Sequence, residues 1–280
     1  MARRRSLCTE VVVYGEGVRS GRSLRVTLGP AAEGEGLRLL RTDTGEAWPL
    51  DLSAALALPG CSAIGDPESH VAYVEHLLAA LGAAGVTDAL VTVDGPELPL
   101  LEGSALPWWE ALARAGVVPG DAEVSPLVVA EPVAVCEAEA FLLALPAEAT
   151  AYTYVLEHPH PLVGRQWAEF APAGDNFARE IAPARTFTTA EEAQRAQELG
   201  LLRGGSEANA LVLYPDHLSA EPTLPHACAR HKLLDLLGDL YLLGRPLVGR
   251  IVAYQAGHRA NQRLAHALAA QAAASAEMVA

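Results

Sequence analysis

Apolar positions in the first half of the chain predict several short strands, then a helix, a strand and a second helix. Alternating or continuous apolar residues favour strands over residues 10–18, 23–28, 36–41 and 89–93. Apolar residues at three- and four-residue spacing predict a helix over residues 67–84, and the periodicity predicts another over residues 106–115. This order is typical of a sheet that helices cover.

The second half of the chain repeats the pattern of the first. Strands are predicted over residues 127–135, 140–145, 151–156, 210–214 and 248–254, and helices over residues 191–199, 226–243 and 261–278. Residues 117–126 contain Pro119, Gly120 and Pro126 and little apolar periodicity, which predicts a linker. We therefore expect an α+β protein of two domains, residues 1–120 and 127–280, each with a β-sheet covered by helices.

Composition narrows the class of protein. Of the 280 residues, 51% are hydrophobic and 19% are charged, which is typical of a globular chain. The net charge of −14 disfavours a phosphate backbone, and therefore nucleic acid, as a partner. Apolar runs are too short for a membrane span or for the apolar region of a signal peptide. The four cysteines form no C-x-x-C pair and indicate neither a disulfide framework nor a zinc finger. We expect a cytoplasmic monomer.

Two sequence clusters carry candidate chemistry. Glu75 and His76 lie side by side in the first predicted helix, where an imidazole can bind a metal while the carboxylate acts on a water molecule. In a later, leucine-rich helix, His231, Asp235 and Asp239 follow at four-residue spacing and share one stripe. Charged groups in so apolar a helix need a partner, which a divalent cation supplies. The alternative for both clusters is a helix face in contact with water.

Two further residues extend these clusters. Lys232 is the only lysine among the 20 basic residues, and its compact charge is not equivalent to that of the larger arginine. His258 follows the strand predicted over residues 248–254, where a loop would aim its imidazole at a site. Both groups would face negative charge that develops on a substrate.

Together, the clusters predict a hydrolytic metalloenzyme with its site between the two halves. His76, His231 and Asp235 would form a set of two histidines and one aspartate with an open fourth position, as in catalytic zinc sites. Glu75 would be the base that acts on the water molecule.

A collinear series of motifs covers nearly the whole chain and resembles a known family. In chain order the motifs are G-E-G-V-R-S-G (15–21), V-E-H-L-L-A-A-L (74–81), P-E-L-P-L-L-E-G-S-A-L-P (96–107), E-H-P (157–159), E-I-A-P-A-R-T-F (180–187), G-L-L-R-G-G-S-E-A-N-A (200–210), R-H-K-L-L-D-L-L-G-D (230–239) and A-G-H (256–258). They resemble the signatures of the UDP-3-O-acyl-N-acetylglucosamine deacetylases, the zinc enzymes of lipid A synthesis.

The resemblance implies a reaction and a role for each site residue. The reaction is removal of acetate from the glucosamine nitrogen of a UDP-linked, 3-O-acylated sugar, and Zn²⁺, or Fe²⁺ in the cell, is the implied cofactor. The implied roles are metal ligand for His76, His231 and Asp235, general base for Glu75, acid for the leaving amine for His258, orientation of that acid for Asp239, and oxyanion stabilisation for Lys232 and Thr186.

The resemblance also implies two α+β domains of alike topology, with the active site at their junction. Each domain carries an insert, and the second, over residues 186–209, encloses a passage for the acyl chain. The residues expected at this passage and against the substrate are Phe187, Leu199, Leu201, Leu202, Gly204 and Gly205.

Some positions depart from the family's usual pattern and leave alternatives open. Arg19 stands where histidine is usual, Tyr73 where threonine is usual, and Glu102 where aspartate is usual. One alternative is a related zinc deacetylase that acts on a different acyl- or nucleotide-sugar. The other is a non-catalytic relative that binds the UDP-acyl-sugar without turnover, although binding alone requires neither Glu75 nor His258.

Overall fold

The computed structural model describes residues 2–277, which form nineteen strands, six α-helices and one 3₁₀ turn (Leu52–Ala54). The strands are β1 (Ala2–Leu7), β2 (Val11–Glu16), β3 (Ser23–Pro30), β4 (Leu37–Arg41), β5 (Glu46–Pro49), β6 (Ala55–Leu58), β7 (Cys61–Gly65), β8 (His70–Ala72), β9 (Ala89–Val93), β10 (Val117–Val124), β11 (Leu127–Val128), β12 (Val133–Glu137), β13 (Ala140–Leu145), β14 (Ala151–His158), β15 (Gly164–Phe170), β16 (Phe187–Thr189), β17 (Leu211–Leu213), β18 (Leu247–Val248) and β19 (Arg250–Tyr254). The helices are α1 (Glu75–Ala84), α2 (Leu106–Ala115), α3 (Phe177–Glu180), α4 (Ala190–Glu198), α5 (Ala227–Tyr241) and α6 (His258–Glu277).

Two five-stranded sheets have the same strand order. The first runs β2-β3-β9-β4-β5 and the second runs β12-β13-β19-β14-β15, so in each the fifth strand in sequence lies at the centre. The central strand pairs parallel with one neighbour and antiparallel with the other in both sheets. The expected α+β class is therefore confirmed, and both halves use one topology.

Each half also carries a small insert between the fourth strand of its sheet and the helix that packs at the junction, α1 or α5. In the first half, β6, β7 and β8 form a three-stranded antiparallel sheet before α1. In the second half, β16 and β17 form a parallel pair around α4, before α5. Because the inserts precede α1 and α5, they lie next to the starts of the two helices that carry the candidate ligands.

The helices α1 and α5 pack against each other between the two halves. α1 also packs on α2, and α5 packs on α6 and on β14 and β15. The residues at this junction belong to one continuous buried core, including Leu77, Leu78 and Leu81 of α1 and Leu233 and Leu234 of α5. Within residues 2–277, no helix has both the length and the apolarity needed to cross a bilayer.

Three sequence predictions are wrong in detail. The first long helix begins at Glu75, not at residue 67, because residues His70–Ala72 pair with β7 and Tyr73 adopts a left-handed conformation with φ 62°. The predicted linker is strand β10, whose backbone pairs with β1; such pairing needs no apolar periodicity. His258 is the first residue of α6 and does not lie in a loop. The predicted end of that helix, Met278, lies outside the described residues.

The contact between α1 and α5 leads to a stability prediction at Gly238. A Cβ atom added there would lie 2.1 Å from the backbone carbonyl oxygen of Glu75, so the two helices would have to move apart. We expect Gly238→Ala to lower the free energy of unfolding by about 1–3 kcal/mol, although alanine itself favours a helix by roughly 1 kcal/mol. Urea denaturation measures the change.

Gly174→Ala is the matched control, because a Cβ atom at Gly174 meets nothing within 4 Å. This variant should change the free energy of unfolding by no more than about 0.5 kcal/mol. Equal stability of the wild-type protein and the Gly238→Ala variant would contradict the close approach of the two helices.

Candidate active site

Three predicted ligands lie together at the junction of α1 and α5. His76 comes from α1, and His231 and Asp235 come from successive turns of α5; their ligand atoms all lie within 4.8 Å of one another. The Oδ1 atom of Asp235 is 3.6 Å from Nε2 of His76 and 3.4 Å from Nε2 of His231. All three side chains are buried. The structure thus brings His76 next to two residues that follow it by more than 150 positions in the sequence.

The protonation of His231 suits metal binding. Its Nδ1 atom is 3.1 Å from the carbonyl oxygen of Ala184, to which a protonated Nδ1 donates. Burial lowers the pKa of His231 to about 3, against the opposing charge of Asp235. The ring is therefore neutral at physiological pH, and its Nε2 lone pair faces Asp235. A neutral imidazole with its other nitrogen fixed by a carbonyl is a common arrangement of metal-binding histidines.

His76 completes the donor set. Its ring meets that of His231 edge to face, with 5.0 Å between the ring centroids. Its Nδ1 atom is buried and has no hydrogen-bond partner among the described residues. Two imidazoles and a carboxylate at this spacing fit a divalent transition metal ion. Such an ion accepts nitrogen and oxygen donors, and three protein donors leave a fourth coordination position open.

Lys232 contacts the same carboxylate from the other side. Its Nζ atom donates a hydrogen bond of 2.7 Å to Oδ2 of Asp235. Burial works to lower the pKa of Lys232, but the charge of Asp235 and this hydrogen bond outweigh it and raise the pKa. Burial works to raise the pKa of Asp235. His231 and Lys232 outweigh this effect and hold the pKa of the carboxyl well below its usual range. Both groups are therefore charged.

Glu75 lies one residue before His76, in the first turn of α1, and is buried. The backbone N–H of Ser62 donates to its Oε2 atom at 3.0 Å. Burial raises the pKa of Glu75, and the nearby imidazoles of His258 and His76 partly oppose this rise. A carboxylate with a raised pKa beside a metal site is suited to accept a proton.

His258 and Asp239 form a buried pair beyond Asp235. The Nδ1 atom of His258 lies 2.9 Å from Oδ2 of Asp239, and its Nε2 atom lies 4.0 Å from Oδ2 of Asp235. Burial works to lower the pKa of His258, but the charge of Asp239 and the hydrogen bond to it raise the pKa to about 9. At neutral pH, His258 is an imidazolium that donates from Nδ1 to Asp239 and holds a second proton on Nε2.

Two cavities adjoin the cluster and share Gly60 in their linings. One, of about 750 Å³, is lined by Thr186 and Phe187 together with Leu201, Leu202 and Gly205 of the second insert. The other, of about 740 Å³, is lined by Lys232 and His258, by the turn between β12 and β13 and by the start of α6. The Phe187 ring lies 6.2 Å from the His231 ring and 5.8 Å from Lys232 Nζ, so this wall of the larger cavity lies next to the cluster.

The remaining insert residues lie elsewhere. The Leu199 side chain is 66% exposed at the end of α4. Gly204 packs against the backbone of the first glycine turn, where a Cβ atom would lie 2.4 Å from the Gly17 carbonyl oxygen. Neither lines the cavity, whereas Phe187, Leu201, Leu202 and Gly205 do.

The residues that depart from the family's usual pattern are also placed. Arg19 and Tyr73 line the 750 Å³ cavity next to Gly60. The Glu102 side chain accepts a hydrogen bond from Ser104, and its backbone carbonyl accepts one from Arg185, so it serves the loop itself. Of these residues, Arg19 and Tyr73 therefore face the larger cavity, and Glu102 does not.

Sequence reasoning missed a group of polar residues around Asp239. Ser62, Asn261 and Gln262 are buried and hydrogen-bonded to Asp239 or to one another. Asn261 and Gln262 follow His258 by three and four residues, which is a helical signal. Ser62 lies 177 positions before Asp239, on a strand, and had no local signal.

The amino-acid sequence is similar to a family model and to several named relatives. Residues 4–270 match the family model of the UDP-3-O-acyl N-acetylglycosamine deacetylases. A protein named UDP-3-O-acyl-N-acetylglucosamine deacetylase from Thermosynechococcus vestitus is 41% identical over 266 residues, which are 92% of this chain and 90% of that protein. Proteins with the same name from Synechocystis sp. and Syntrophus aciditrophicus are 39% and 34% identical, over 92% and 95% of this chain and 96% and 86% of their own lengths.

The cluster leads to a prediction about metal content. The purified protein should hold about one divalent metal ion per chain, because three buried donors converge on one position. His231→Ala removes one donor and should lower the metal content at least several-fold, as measured by plasma mass spectrometry after dialysis.

His217→Ala is the control for this measurement, because His217 is exposed and lies outside the cluster. It should keep the metal content of the wild-type protein. Full metal content in His231→Ala would remove His231 from the ligand set.

Proposed function

The chain belongs to the UDP-3-O-acyl N-acetylglycosamine deacetylase family, and we propose that it hydrolyses the N-acetyl group of a UDP-linked, 3-O-acylated N-acetylglucosamine in lipid A biosynthesis. The observation that carries this proposal is the arrangement around His76, His231 and Asp235, which has a buried carboxylate, Glu75, and a cationic imidazole, His258, beside it. Amide hydrolysis needs a base for the water and an acid for the amine.

We assign Zn²⁺ to the cluster, with Fe²⁺ as the alternative metal in the cell. His76, His231 and Asp235 would hold it, as two nitrogen donors and one oxygen donor with an open position are typical of catalytic zinc sites. When bound, the ion would polarise the acetamide carbonyl and lower the pKa of a water molecule toward about 7.

Glu75 is the proposed general base. Its Oε2 atom is held by the Ser62 amide, which leaves Oε1 to accept a proton from the attacking water. The water oxygen then bonds to the acetamide carbonyl carbon. Because burial raises the pKa of Glu75, the carboxylate accepts the proton more readily than an exposed glutamate would.

His258 is the proposed general acid. Its Nδ1 atom is fixed by Asp239, so the proton on Nε2 is the one available to the leaving nitrogen. As the bond between carbonyl carbon and nitrogen breaks, this proton passes to the nitrogen; the products are acetate and the free amine. Lys232 and Thr186 are the proposed donors to the oxygen that becomes negative, although Lys232 already contacts Asp235.

The two cavities give the substrate its direction. We place the acyl chain in the 750 Å³ cavity, where Phe187, Leu201 and Leu202 supply apolar surface and Gly205 forms part of the lining. The nucleotide half then lies on the side of Lys232 and His258, whose positive charges attract the diphosphate. Leu199 and Gly204 have no place in this substrate pose. The cytoplasmic location, the monomeric state and the division into two domains stay predictions.

A related deacetylase with a different acyl- or nucleotide-sugar substrate is the second candidate, because Arg19 and Tyr73 line the acyl cavity. A relative that binds without turnover is less well supported, since Glu75 and His258 have the arrangement of a base and an acid. Mass spectrometry of the metal-loaded protein with acylated UDP-N-acetylglucosamines of several chain lengths separates the three. Loss of an acetyl group supports deacetylation, and its rank order with chain length tests the substrate assignment.

A first prediction concerns the base. Glu75→Ala should keep its metal but lower kcat by about 10²- to 10⁴-fold, the usual contribution of general-base catalysis. Steady-state kinetics and metal analysis measure the two quantities. Glu110→Ala, at an exposed position on α2, is the control and should keep wild-type turnover. Wild-type kcat in Glu75→Ala would place the base elsewhere.

A second prediction concerns pH. The rate should rise as Glu75 loses its proton and fall as His258 loses its own, because the acid must be protonated. With the pKa of His258 raised to about 9, the basic limb should lie near that pH. Asp239→Asn removes the charge that favours the imidazolium, so this limb should move to lower pH. His258→Ala should flatten it and lower kcat.

The comparison that decides this assignment is the pair of pH–rate profiles. A basic limb that stays in place in both variants would exclude His258 as the acid. Lys232, on the same side of the cluster, would then be the candidate, and Lys232→Met would be expected to move the limb instead.

A further inference from the structure

Ser62 contacts both Glu75, the proposed base, and Asp239, the partner of the proposed acid. It is a fully buried residue of β7, in the insert of the first half. Its backbone N–H donates to Glu75, and its backbone carbonyl accepts from the N–H of Val74, next to the start of α1. Its side chain points to the second half, where it contacts residues of α5 and α6.

The direction of the Ser62 hydroxyl proton follows from its neighbours. The Nε2 atom of Gln262 donates to Ser62 Oγ at 2.8 Å, and this amide also donates to the Leu56 carbonyl oxygen. Because Oγ accepts that bond, its single proton is free to donate, and Oδ1 of Asp239 lies 2.5 Å away. A hydroxyl that donates to a buried carboxylate makes a strong, short hydrogen bond.

The two oxygen atoms of Asp239 have different partners. Oδ2 accepts from Nδ1 of His258 and from Nδ2 of Asn261, at 2.9 and 2.8 Å. Oδ1 has Ser62 as its one hydrogen-bond partner among residues 2–277. The Ser62 hydroxyl therefore fixes the rotation of the carboxylate. The carboxylate holds the ring that carries the proposed catalytic proton, because Nδ1 of His258 lies 2.9 Å from Asp239 and farther, at 3.4 Å, from Ser62 Oγ.

We propose that the Ser62 hydroxyl is a positioning group for His258 and acts through Asp239. The inference rests on the proposed function for its effect on rate, and on the contacts alone for its effect on the His258 ring. Without the hydroxyl, Oδ1 of buried Asp239 loses its partner and the carboxylate can turn away from the ring. The Ser62 amide and its bond to Glu75 persist in Ser62→Ala, so this variant tests the acid side alone.

The first test compares three variants by steady-state kinetics. Ser62→Ala should lower kcat by about 10- to 100-fold, the usual effect of losing a group that orients a residue at a metal site, with KM changed less than about 2-fold. Ser62→Thr keeps the hydroxyl and should recover kcat to within about 3-fold of the wild-type value. Metal content should match the wild-type protein in both.

Thr87→Ala is the matched control. The Thr87 hydroxyl also donates to a buried carboxylate, Asp88, at 2.6 Å, but this pair lies beyond the far end of α1. Both alanine variants remove the same kind of hydrogen bond and should lower the melting temperature. Only Ser62→Ala should lower kcat; an equal fall in both variants would mean that the effect is general destabilisation.

A double-mutant cycle tests the route through Asp239. If Ser62 acts through this carboxylate, Ser62→Ala should lower kcat by less than about 3-fold in an Asp239→Asn background. Independent roles would give fold-changes that multiply, and this result would overturn the proposal.

A measurement without substrate separates failure of this inference from failure of the proposed function. The Nδ1–H proton of His258, bonded to a carboxylate, should give a downfield proton NMR signal that His258→Gln removes. This signal should shift or vanish in Ser62→Ala, return in Ser62→Thr and stay unchanged in Thr87→Ala. A signal unchanged in Ser62→Ala overturns the proposal, whether or not the wild-type protein deacetylates the substrate.

Gln262→Met keeps the test decisive if Ser62→Ala fails to fold. This variant removes the amide that orients the Ser62 hydroxyl and leaves Ser62 in place. We expect a smaller fall in kcat, about 3- to 10-fold, and a shift of the same NMR signal. No change in either quantity would contradict the proposal.

Discussion

The close approach of α1 and α5 is the constraint on which the rest of this structure depends. The two helices meet at Gly238, where the backbone of α5 lies against the Glu75 carbonyl group and leaves no room for a side chain. His76 on α1 can reach His231 and Asp235 on α5 only because the helix axes are this close. A larger residue at the crossing would separate the donors as well as the helices. The packing of the helices and the spacing of the candidate metal ligands are therefore set by the same contact.

The buried charges at this crossing favour a bound cation. Three carboxylates, those of Glu75, Asp235 and Asp239, are almost wholly inaccessible to water. Facing them are one ammonium, on Lys232, and one imidazolium, on His258. Burial of an uncompensated charge is costly, so the cluster favours a further positive charge between the Nε2 atoms of His76 and His231 and the Asp235 carboxylate. A divalent ion at that position leaves the site with net positive charge, which suits an anionic transition state and a diphosphate-bearing substrate.

The sequence predicted which candidate ligands lie together better than it predicted the backbone around them. Ligand spacing on α5 follows from helical geometry, so His231 and Asp235 could be paired from the sequence alone. The start of α1 could not be predicted from the sequence, because the left-handed turn at Tyr73 and the pairing of β8 depend on neighbours distant in sequence. Strand β10 was missed for the same reason, since β1 stabilises it through backbone hydrogen bonds. The contacts of the Ser62 side chain could not be predicted from the sequence, because its partners lie on two helices of the other half.

The two halves share a repeated framework, with sheets of identical strand order, and they differ in their inserts. In each half, four strands precede an insert, a helix, the central strand and a second helix, so α1 and α5 occupy equivalent places in the two halves. The framework alone supplies the candidate metal ligands, from these two equivalent helices. The inserts do not repeat: β7 in the first supplies Ser62 to the acid–base network, and β16 in the second supplies Phe187 to the wall of the larger cavity. Because each insert enters just before its helix, both can reach the cluster without altering the helix crossing. Changes in the second insert can then alter the substrate accepted while the cluster and its acid–base partners stay in place.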